Sequence, residues 1–331
     1  MKQTNDFKEN LLRILQTGFQ LQSRPFLPYV KEFGVGEKEI LESIQNLINS
    51  GKIRRIAAIF ESRALGYVSA LAGVRVHPDF LESVAAFVSR HPGVTHNYER
   101  LHDFNLWFTI TASSKEAIQD FLELVRKQRG VQQVLELPVV EYYKLNVSLD
   151  PTTGQNLSKP STQKPAAVKG HSFSEAEKNL IRVVQREIPL NSKPFESIGE
   201  KVGWTEENVL KTLRQWKKHG IIRKIGAVLN HRKAGARANA MVVWKVPEER
   251  SAEVGKLMAE SVQVSHCYRR ATYPEWPYSH YTMIHAATSE SLEKIIKDIS
   301  DSIHIRDYLV LKSGREFKKV GMRYFEEAWQ A

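Results

Sequence analysis

Two short segments of the sequence place a histidine, a tyrosine and an arginine at alternate positions. Side chains alternate between the two faces of a β-strand, so each set of three would share one face. Histidine carries protons near neutral pH or ligates iron, arginine binds carboxylates through paired hydrogen bonds, and tyrosine stacks on flat rings. The pattern therefore indicates proton transfer beside a bound carboxylate. The first H-x-Y-x-R set is His96, Tyr98 and Arg100, and the second is His266, Tyr268 and Arg270.

The residues between these positions should point to the opposite face of each strand. Cys267 and Arg269 are in this group, although Arg269 remains a candidate substrate-binding residue as a second arginine beside Arg270. A strand that only displays polar side chains to solvent would show the same alternation. The recurrence of the pattern in two distant segments, one of them beside an aromatic-rich loop, favours a functional site.

The loop after the second set, ATYPEWPYSHY, is rich in aromatic residues and punctuated by prolines. From His266 to Ala287 is 21 positions and from His96 to Ala112 is 16, so by sequence alone this loop is five residues longer than the one in the first copy, where RLHDFNLWF makes the turn. Tyr273, Trp276 and Tyr278 are predicted to form a rigid lid over a flat ligand, and an aromatic plug at a dimer interface is the alternative. His285, on the strand that follows, fits a site residue or a core histidine equally well.

Further basic residues lie near two corresponding short apolar segments. His231, in LNHRKAG, is a candidate iron ligand or second proton donor, with a surface histidine as the alternative. Arg54, Arg55, Arg223 and Lys224 begin the apolar segments and would reach acidic groups of a ligand or phosphates of DNA. These five residues complete the candidate binding set.

Composition limits the class of protein. The chain has 331 residues and a formal net charge of +11, which would attract nucleic acids, anionic membranes or small polyanions such as tetrapyrroles, and composition does not choose among these. Cys267 is the single cysteine, which excludes an intramolecular disulfide and a cysteine-based zinc site. No apolar stretch is long enough to span a bilayer, and the first residues do not resemble a secretory signal. We expect a cytoplasmic protein that does not bind membranes.

The chain consists of two copies of one repeated unit. GKIRRIAAIFESRALG, from Gly51, aligns with GIIRKIGAVLNHRKAG, from Gly220, and VTHNYER aligns with VSHCYRR. Between the copies, PTTGQNLSKPSTQKPAAVKG is nearly free of large apolar residues and is predicted to be a flexible linker. The two copies are expected to pair with each other within the chain, an arrangement that is also compatible with a homodimer of chains.

Each copy shows the same order of predicted elements. Three short helices precede an apolar hairpin, IRRIAAIF or IRKIGAVL, which is a winged helix-turn-helix pattern. A β-α-β-β-α-β succession follows, the order of a ferredoxin-like domain, so the fold class is α+β. The two sheets are expected to pack face to face about a pseudo-two-fold axis. The predicted parts are a winged helix-turn-helix (1–60), a ferredoxin-like domain (61–150), the linker (151–170), and the second copies of the two domains (171–230 and 231–331).

This layout resembles that of the Lrp/AsnC regulators, and IIRKIGAVLNHRKAG is similar to the connection between their two domains. VSHCYRRATYPEWPYSHYTMIHA and VTHNYERLHDFNLWFTITA are similar to corresponding motifs in the two subunits of sirohaem decarboxylases. The fused arrangement resembles the form associated with haem d1 biosynthesis, whereas separate subunits serve an alternative haem route. The resemblance covers nearly the whole chain apart from the linker.

The resemblance implies that two acetate carboxylates of sirohaem are lost as CO2 to give 12,18-didecarboxysirohaem. Sirohaem is then the substrate, its iron is its own, and no organic cofactor is implied. His266 and His96 become candidate proton donors and, with His231, candidate axial contacts to the substrate iron. Arg270 and Arg100 would hold carboxylates. The candidate substrate-binding residues are Tyr268, Tyr98, Arg269, Tyr273, Trp276, Tyr278, His231, Arg54, Arg55, Arg223 and Lys224, with the second copy as the principal site.

Two other classes of function share these features. A DNA-binding regulator would need basic recognition helices, but GEKEILESIQNLINS carries Glu37, Glu39 and Glu42 against Lys38. The corresponding TEENVLKTLRQWKKH is basic. A tetrapyrrole sensor without catalysis fits the same pocket residues as the enzyme does. We expect DNA binding to be absent and turnover to separate the enzyme from the sensor.

Overall fold

The computed structural model describes residues 2–145, 172–229 and 238–326, so the predicted linker and His231 lie outside the described residues. Both copies contain three helices, one strand and then the β-α-β-β-α-β succession. The three helices and the succession were predicted; the single strand was not. The elements of the first copy are α1 (Lys2–Thr17), α2 (Leu27–Phe33), α3 (Glu37–Asn49), β1 (Ile53–Phe60), β2 (Val68–Val76), α4 (Leu81–Arg90), β3 (Val94–Arg100), β4 (Leu106–Ala112), α5 (Lys115–Arg126) and β5 (Val131–Leu145).

The second copy repeats this order with similar lengths. Helices α6 and α8 start where the sequence offers capping side chains: the Ser174 hydroxyl accepts from the Glu177 N–H, and the Thr205 hydroxyl accepts from the Asn208 N–H. The elements are α6 (Glu175–Val184), α7 (Pro194–Val202), α8 (Glu206–Lys218), β6 (Ile222–Leu229), β7 (Ala238–Trp244), α9 (Ser251–Glu260), β8 (Val264–Arg270), β9 (His280–Ala286), α10 (Ser289–Ile303) and β10 (Tyr308–Lys319).

The two helix-turn-helix units share one hydrophobic core. Leu11 and Ile44 of the first copy and Leu213 and Ile225 of the second are all buried in it. The prediction of an apolar hairpin within each copy is wrong, because β1 and β6 are single strands that pair antiparallel with each other. Five of the eight residues in each strand are buried, and each strand finds its hydrogen-bonding partner strand in the other copy.

The two ferredoxin-like sheets join into one closed eight-stranded barrel. The first copy contributes the order β3-β4-β2-β5 and the second β8-β9-β7-β10, with β5 paired to β8 and β10 paired to β3. The last strand of each copy makes this possible, since β5 has 15 residues and β10 has 12. The sheets therefore face each other across the barrel, but they are also hydrogen-bonded along both edges, which the face-to-face prediction did not include.

The barrel is packed on both sides. Helices α4 and α5 cover the outer face of the first sheet, and α9 and α10 cover that of the second. A separate cluster fills part of the interior and draws on both copies, with Trp107 and Leu137 from the first and Val243 and Tyr281 from the second. Among the described residues, no helix is long and apolar enough to cross a membrane.

Candidate active site

Both H-x-Y-x-R sets face a single cavity of about 1140 Å³. Barrel strands, β1 with the segment after it, and residues 319–324 form its wall. Sequence reasoning placed a principal site in the second copy, with the first set either in a separate site or completing the pocket across the interface. The barrel brings the two sets into one space. The six residues that line it are His96, Tyr98, Arg100, His266, Tyr268 and Arg270.

Strand alternation explains why these side chains share the cavity. The intervening Asn97 points outward and donates from its side-chain amide to the Ala85 carbonyl of α4, at 3.0 Å. Cys267 also faces a helix, with its sulfur 3.7 Å from the Gly255 carbonyl oxygen of α9. Burial raises the pKa of the Cys267 thiol, so the thiol stays protonated. Its side chain points away from the cavity.

The two arginines bind backbone carbonyls of the opposite copy. Arg270 donates from Nη1 to the Leu137 carbonyl at 2.6 Å, and Arg100 donates from Nη1 to the Leu311 carbonyl at 3.2 Å. Burial lowers the pKa of Arg100 to about 10 and also lowers that of Arg270. A guanidinium group keeps its proton in proteins at neutral pH. Within the described residues neither guanidinium has a carboxylate partner, and both Nε atoms lack an acceptor. The site therefore holds two buried cations that can bind an anionic ligand.

Aromatic rings lie directly against these cations. The guanidinium carbon of Arg270 is 5.0 Å from the ring centre of Tyr268, and that of Arg100 is 5.3 Å from the ring centre of Tyr98. The second set is extended by Tyr142, whose ring centre lies 5.4 Å from that of Tyr268. A flat apolar ligand with acidic substituents suits such alternating rings and guanidinium groups.

The histidines are held by hydroxyl groups on neighbouring residues. Nδ1 of His96 lies 2.9 Å from the Thr95 hydroxyl, and Nδ1 of His266 lies 2.9 Å from the Ser265 hydroxyl. The pKa of His96 is lowered to about 4 because the ring is buried and Lys319 is nearby. His96 is therefore neutral at pH 7 before any anionic ligand enters.

The sequence of this chain matches known protein families over both copies. A family model described as "Siroheme decarboxylase NirDL-like HTH domain" matches residues 8–54 and 177–223, and one described as "AsnC-like ligand binding domain" matches residues 64–144 and 233–318. The siroheme decarboxylase of Hydrogenobacter thermophilus is 38% identical over 98% of this chain and 97% of that protein. This chain belongs to the sirohaem decarboxylase family.

Two further relatives agree with the fused arrangement. A siroheme decarboxylase beta subunit of Methanosarcina barkeri is 44% identical over 44% of this chain and 95% of that protein, so one subunit corresponds to about half of the chain. The crystal structure of the siroheme decarboxylase NirDL in co-complex with an iron-uroporphyrin III analogue is 34% identical, with a TM-score of 0.74, and the match covers 96% of this chain and 93% of that one. The resemblance predicted from the two motifs is confirmed.

In this sirohaem decarboxylase family member, the basic residues of β1 and β6 divide between two environments. Arg55 and Arg223 line the cavity, as predicted for substrate-binding residues. Arg54 and Lys224 do not line it, and their role in substrate binding stays a prediction. Arg54 alternates with Arg55 and is exposed, and Lys224 donates from Nζ to the Ala227 carbonyl at 3.2 Å.

Arg269 and the three aromatic residues of the loop also lie outside the cavity lining, so their role in substrate binding stays a prediction. Arg269 points outward to an ion pair with Glu248 at 2.5 Å. Trp276 is only 1% exposed and donates from Nε1 to the Tyr281 hydroxyl at 2.7 Å. The Tyr278 ring packs on Trp276, and the Tyr273 hydroxyl donates to the Glu136 carbonyl at 2.6 Å. The loop is an intramolecular plug of the barrel rather than a lid, because burying large aromatic surface is favourable.

Strand register also corrects the length of this loop. His96 pairs with Thr109 and His266 with Met283, so the second loop is four residues longer than the first, not five. Two positions further along these strands, Thr111 and His285 are equivalent. Both line the cavity, so the second copy has a histidine where the first has a threonine.

Sequence reasoning did not select several residues of the cavity wall. Arg63 lies over the Tyr142 ring, with its guanidinium carbon 4.2 Å from the ring centre. Its recurrence at the corresponding position of the second copy was visible in the aligned repeat and would have been the signal. Lys319 and Tyr281 also line the cavity, but nothing in their local sequence distinguishes them from other strand residues.

The neutral histidines make the fold sensitive to mild acid. The pKa values of His91, His96, His280 and His285 are each lowered to about 4, mainly by burial. Unfolded histidine has a pKa near 6.5, so below this pH the unfolded chain binds more protons and the folded state loses stability. Each ring is expected to contribute a loss of up to about 1.4 kcal/mol per pH unit between pH 6.5 and 4.

Urea unfolding at pH 7.0 and at pH 5.5 would measure this loss as a fall in the free energy of unfolding. Carboxylates titrate mostly below this window, so the histidines dominate it. His285→Gln should remove one ring's share of the pH dependence. An equal free energy of unfolding at the two pH values would contradict the prediction.

Proposed function

We propose that this chain is a decarboxylase that acts on sirohaem. The observation that carries the proposal is the single cavity that both H-x-Y-x-R sets line. The relatives named as sirohaem decarboxylases, and the NirDL structure with an iron-uroporphyrin III analogue, support the same substrate class.

The charge of the cavity wall fits a polycarboxylate. Its seven lysines and arginines exceed its three glutamates, and an excess of positive charge attracts a tetrapyrrole with many acidic side chains. Arginine can bind each carboxylate through two hydrogen bonds. The basic residues are Arg55, Arg63, Arg100, Lys115, Arg223, Arg270 and Lys319, and the acidic ones are Glu61, Glu136 and Glu141.

The proposed reaction breaks the bond between the methylene and carboxylate carbons of a ring acetate. The carboxylate leaves as CO2, and the electron pair of the broken bond stays on the methylene, where the macrocycle delocalises it. The methylene carbon then accepts one proton and becomes a methyl group. Each decarboxylation thus consumes one proton, and His266 and His96 are proposed to supply it. Arg270 and Arg100 are proposed to hold carboxylates of the substrate.

The electrostatics of substrate binding support this role for the histidines. The imidazole of His96, which is buried and lies near Lys319, gains no proton easily in the ligand-free protein. Carboxylates of the entering substrate oppose this positive charge and favour the protonated ring. Binding would therefore prepare the proton donor in the same step that positions the acetate.

The finer parts of the proposal follow from the family resemblance. The acetates removed are those at C12 and C18, the product is 12,18-didecarboxysirohaem, and no organic cofactor takes part. The pathway is haem d1 biosynthesis or the alternative haem route, in the cytoplasm. The two copies pair within the chain, and an equilibrium between monomer and homodimer is open to measurement by sedimentation.

Anaerobic incubation of the protein with sirohaem would test the proposal directly. Mass spectrometry should show a singly decarboxylated intermediate followed by a product that has lost two CO2. Binding of sirohaem without any loss of CO2 would instead identify a tetrapyrrole sensor. No binding at all would overturn the proposal.

One observation favours testing DNA as a second ligand. Helix α8 exposes Lys211, Arg214, Lys217 and Lys218, which is compatible with contact to phosphates. Helix α3 instead exposes Glu39 and Glu42, with Lys38 beside Glu42 at 3.9 Å. A pseudo-symmetric pair with one acidic recognition helix would bind a palindrome poorly.

We therefore expect specific duplex binding to be absent at physiological salt. A gel shift at about 150 mM salt with excess competitor DNA is the measurement, because non-specific phosphate contacts weaken steeply with salt. Lysine substitution at both Glu39 and Glu42 should increase duplex binding at low salt. A sequence-specific complex that survives these conditions with the native chain would contradict the expectation.

A further inference from the structure

A buried serine joins two histidines of the cavity in the second copy. The Ser265 hydroxyl oxygen lies 2.9 Å from Nδ1 of His266, 2.9 Å from Nε2 of His285 and 3.2 Å from the Met283 carbonyl oxygen. Ser265 is 0% exposed, and both rings line the cavity. A hydroxyl has one proton, so it can donate to only one of these three neighbours. At least one imidazole must therefore donate an N–H to Ser265.

The first copy holds its histidine differently. The Thr95 hydroxyl lies 2.9 Å from Nδ1 of His96, but the position equivalent to His285 is Thr111. The Thr111 hydroxyl is hydrogen-bonded to that of Ser69 at 2.8 Å. Only the second copy thus contains a histidine–serine–histidine chain. The two H-x-Y-x-R sets, similar in sequence, differ in what orients their imidazoles.

We infer that Ser265 and His285 are positioning residues that hold His266 in the tautomer with its proton on Nε2. In the ligand-free protein His285 donates from Nε2 to the Ser265 hydroxyl, and this hydroxyl donates to Nδ1 of His266. Each of the two hydrogen bonds then has one donor and one acceptor, and the ring of His266 is fixed both in orientation and in tautomer. A His266 ring that is protonated on substrate binding donates from Nδ1 to the same hydroxyl, which then donates to the Met283 carbonyl. The inference rests on the proposed function, in which His266 gives a proton to a substrate carbon. Because Ser265 engages Nδ1 of this ring, that proton must come from the N–H at Nε2.

Kinetics of matched variants would test the inference. Ser265→Ala removes the bridging hydroxyl, and His285→Thr introduces the residue that the first copy has at this position. Both are expected to lower the decarboxylation rate by about 10- to 100-fold, the usual effect of losing a supporting hydrogen bond to a functional histidine. The KM for sirohaem should stay the same, because neither residue is proposed to hold a substrate carboxylate. His285→Gln keeps a side-chain N–H donor and should restore most of the rate.

Ser279→Ala is the matched control. Ser279 also has its hydroxyl 2.9 Å from Nδ1 of a buried histidine, His280, but neither residue lines the cavity. This variant removes the same kind of bond and is expected to keep the native rate. Thermal unfolding and binding of iron-uroporphyrin III would show that every variant folds and retains its pocket. A Ser265→Ala protein with at least half the native rate would overturn the inference, as would His285→Gln being as slow as His285→Thr.

The tautomer can also be measured without turnover. In ligand-free protein labelled with ¹⁵N-histidine, the NMR spectrum should show Nε2 of His266 protonated and Nδ1 unprotonated, with mixed tautomers in Ser265→Ala. A native spectrum with the proton on Nδ1 of His266 would overturn the inference whatever the kinetics show. If the native protein produces no decarboxylated sirohaem, the proposed function fails, and the NMR spectrum alone decides the arrangement of the three side chains.

Discussion

Replacing His266 by alanine is expected to lower the rate of sirohaem decarboxylation by about 10²- to 10⁴-fold, the range for loss of a general acid. The His266 ring lines the cavity, and its Nδ1 lies 2.9 Å from the Ser265 hydroxyl. It belongs to none of the hydrophobic clusters of the described residues, so its loss removes little packing. The fold should therefore survive. Single-turnover mass spectrometry under anaerobic conditions would measure the rate, and thermal unfolding would measure the stability.

Two parallel variants make this result interpretable. His219→Ala removes an exposed histidine at the end of α8, outside the cavity lining, and should leave the rate unchanged. His96→Ala removes the ring of the first set, which lines the same cavity. A nearly native His266→Ala protein together with an inactive His96→Ala protein would place the principal proton donor in the first copy. Activity in both single variants would show that neither histidine supplies the proton.

Replacing Trp276 by alanine is expected to lower the free energy of unfolding by about 3 to 5 kcal/mol, the usual loss for a buried tryptophan. The indole ring centre lies 5.4 Å from those of both Phe104 and Trp107, and its N–H donates to the Tyr281 hydroxyl. The substitution leaves a cavity inside the barrel and removes the donor from a buried hydroxyl. Urea or guanidinium unfolding of the variant would measure the loss.

The neighbouring Glu275→Ala variant is the control for the loop. Glu275 is exposed and accepts from the Gln133 side-chain amide at 2.8 Å, so its loss should change the free energy of unfolding by less than about 0.5 kcal/mol. The two variants distinguish a loop that fills the barrel from a loop that covers a bound ligand. A Trp276→Ala protein with native stability and weakened sirohaem binding would contradict the plug and restore the prediction of a lid.

Local sequence patterns were sufficient for much of this fold. The repeat, the order of elements and the caps at Ser174 and Thr205 depend on residues close together in the chain, so they could be read from it. The two-residue period of a strand also separated the cavity-facing His266 from the outward-facing Cys267. The same period places Arg54 and Arg55 on opposite faces of β1, although both were predicted to bind the substrate.

The partners of the strands could not be read in this way. An apolar strand such as β1 is compatible with a hairpin in its own copy or with a partner in the other, and local hydrophobicity is the same in both cases. Closure of the barrel depends on β5 and β10 continuing past their own sheets. The position of Trp276 inside the barrel, rather than over a ligand, depends on rings of the first copy that pack against it.

The sequence by itself determined the two-copy construction, the helix-turn-helix and ferredoxin-like order, and the strand faces that carry His96 and His266. These properties follow from short-range periodicity and from alignment of the chain with itself. Only the tertiary structure decided that both sets share one cavity, that Arg63 and Lys319 join its wall, and that Arg269 does not. The physical reason is that a cavity is formed by contacts between residues more than a hundred positions apart, and those contacts are set by strand pairing and barrel closure.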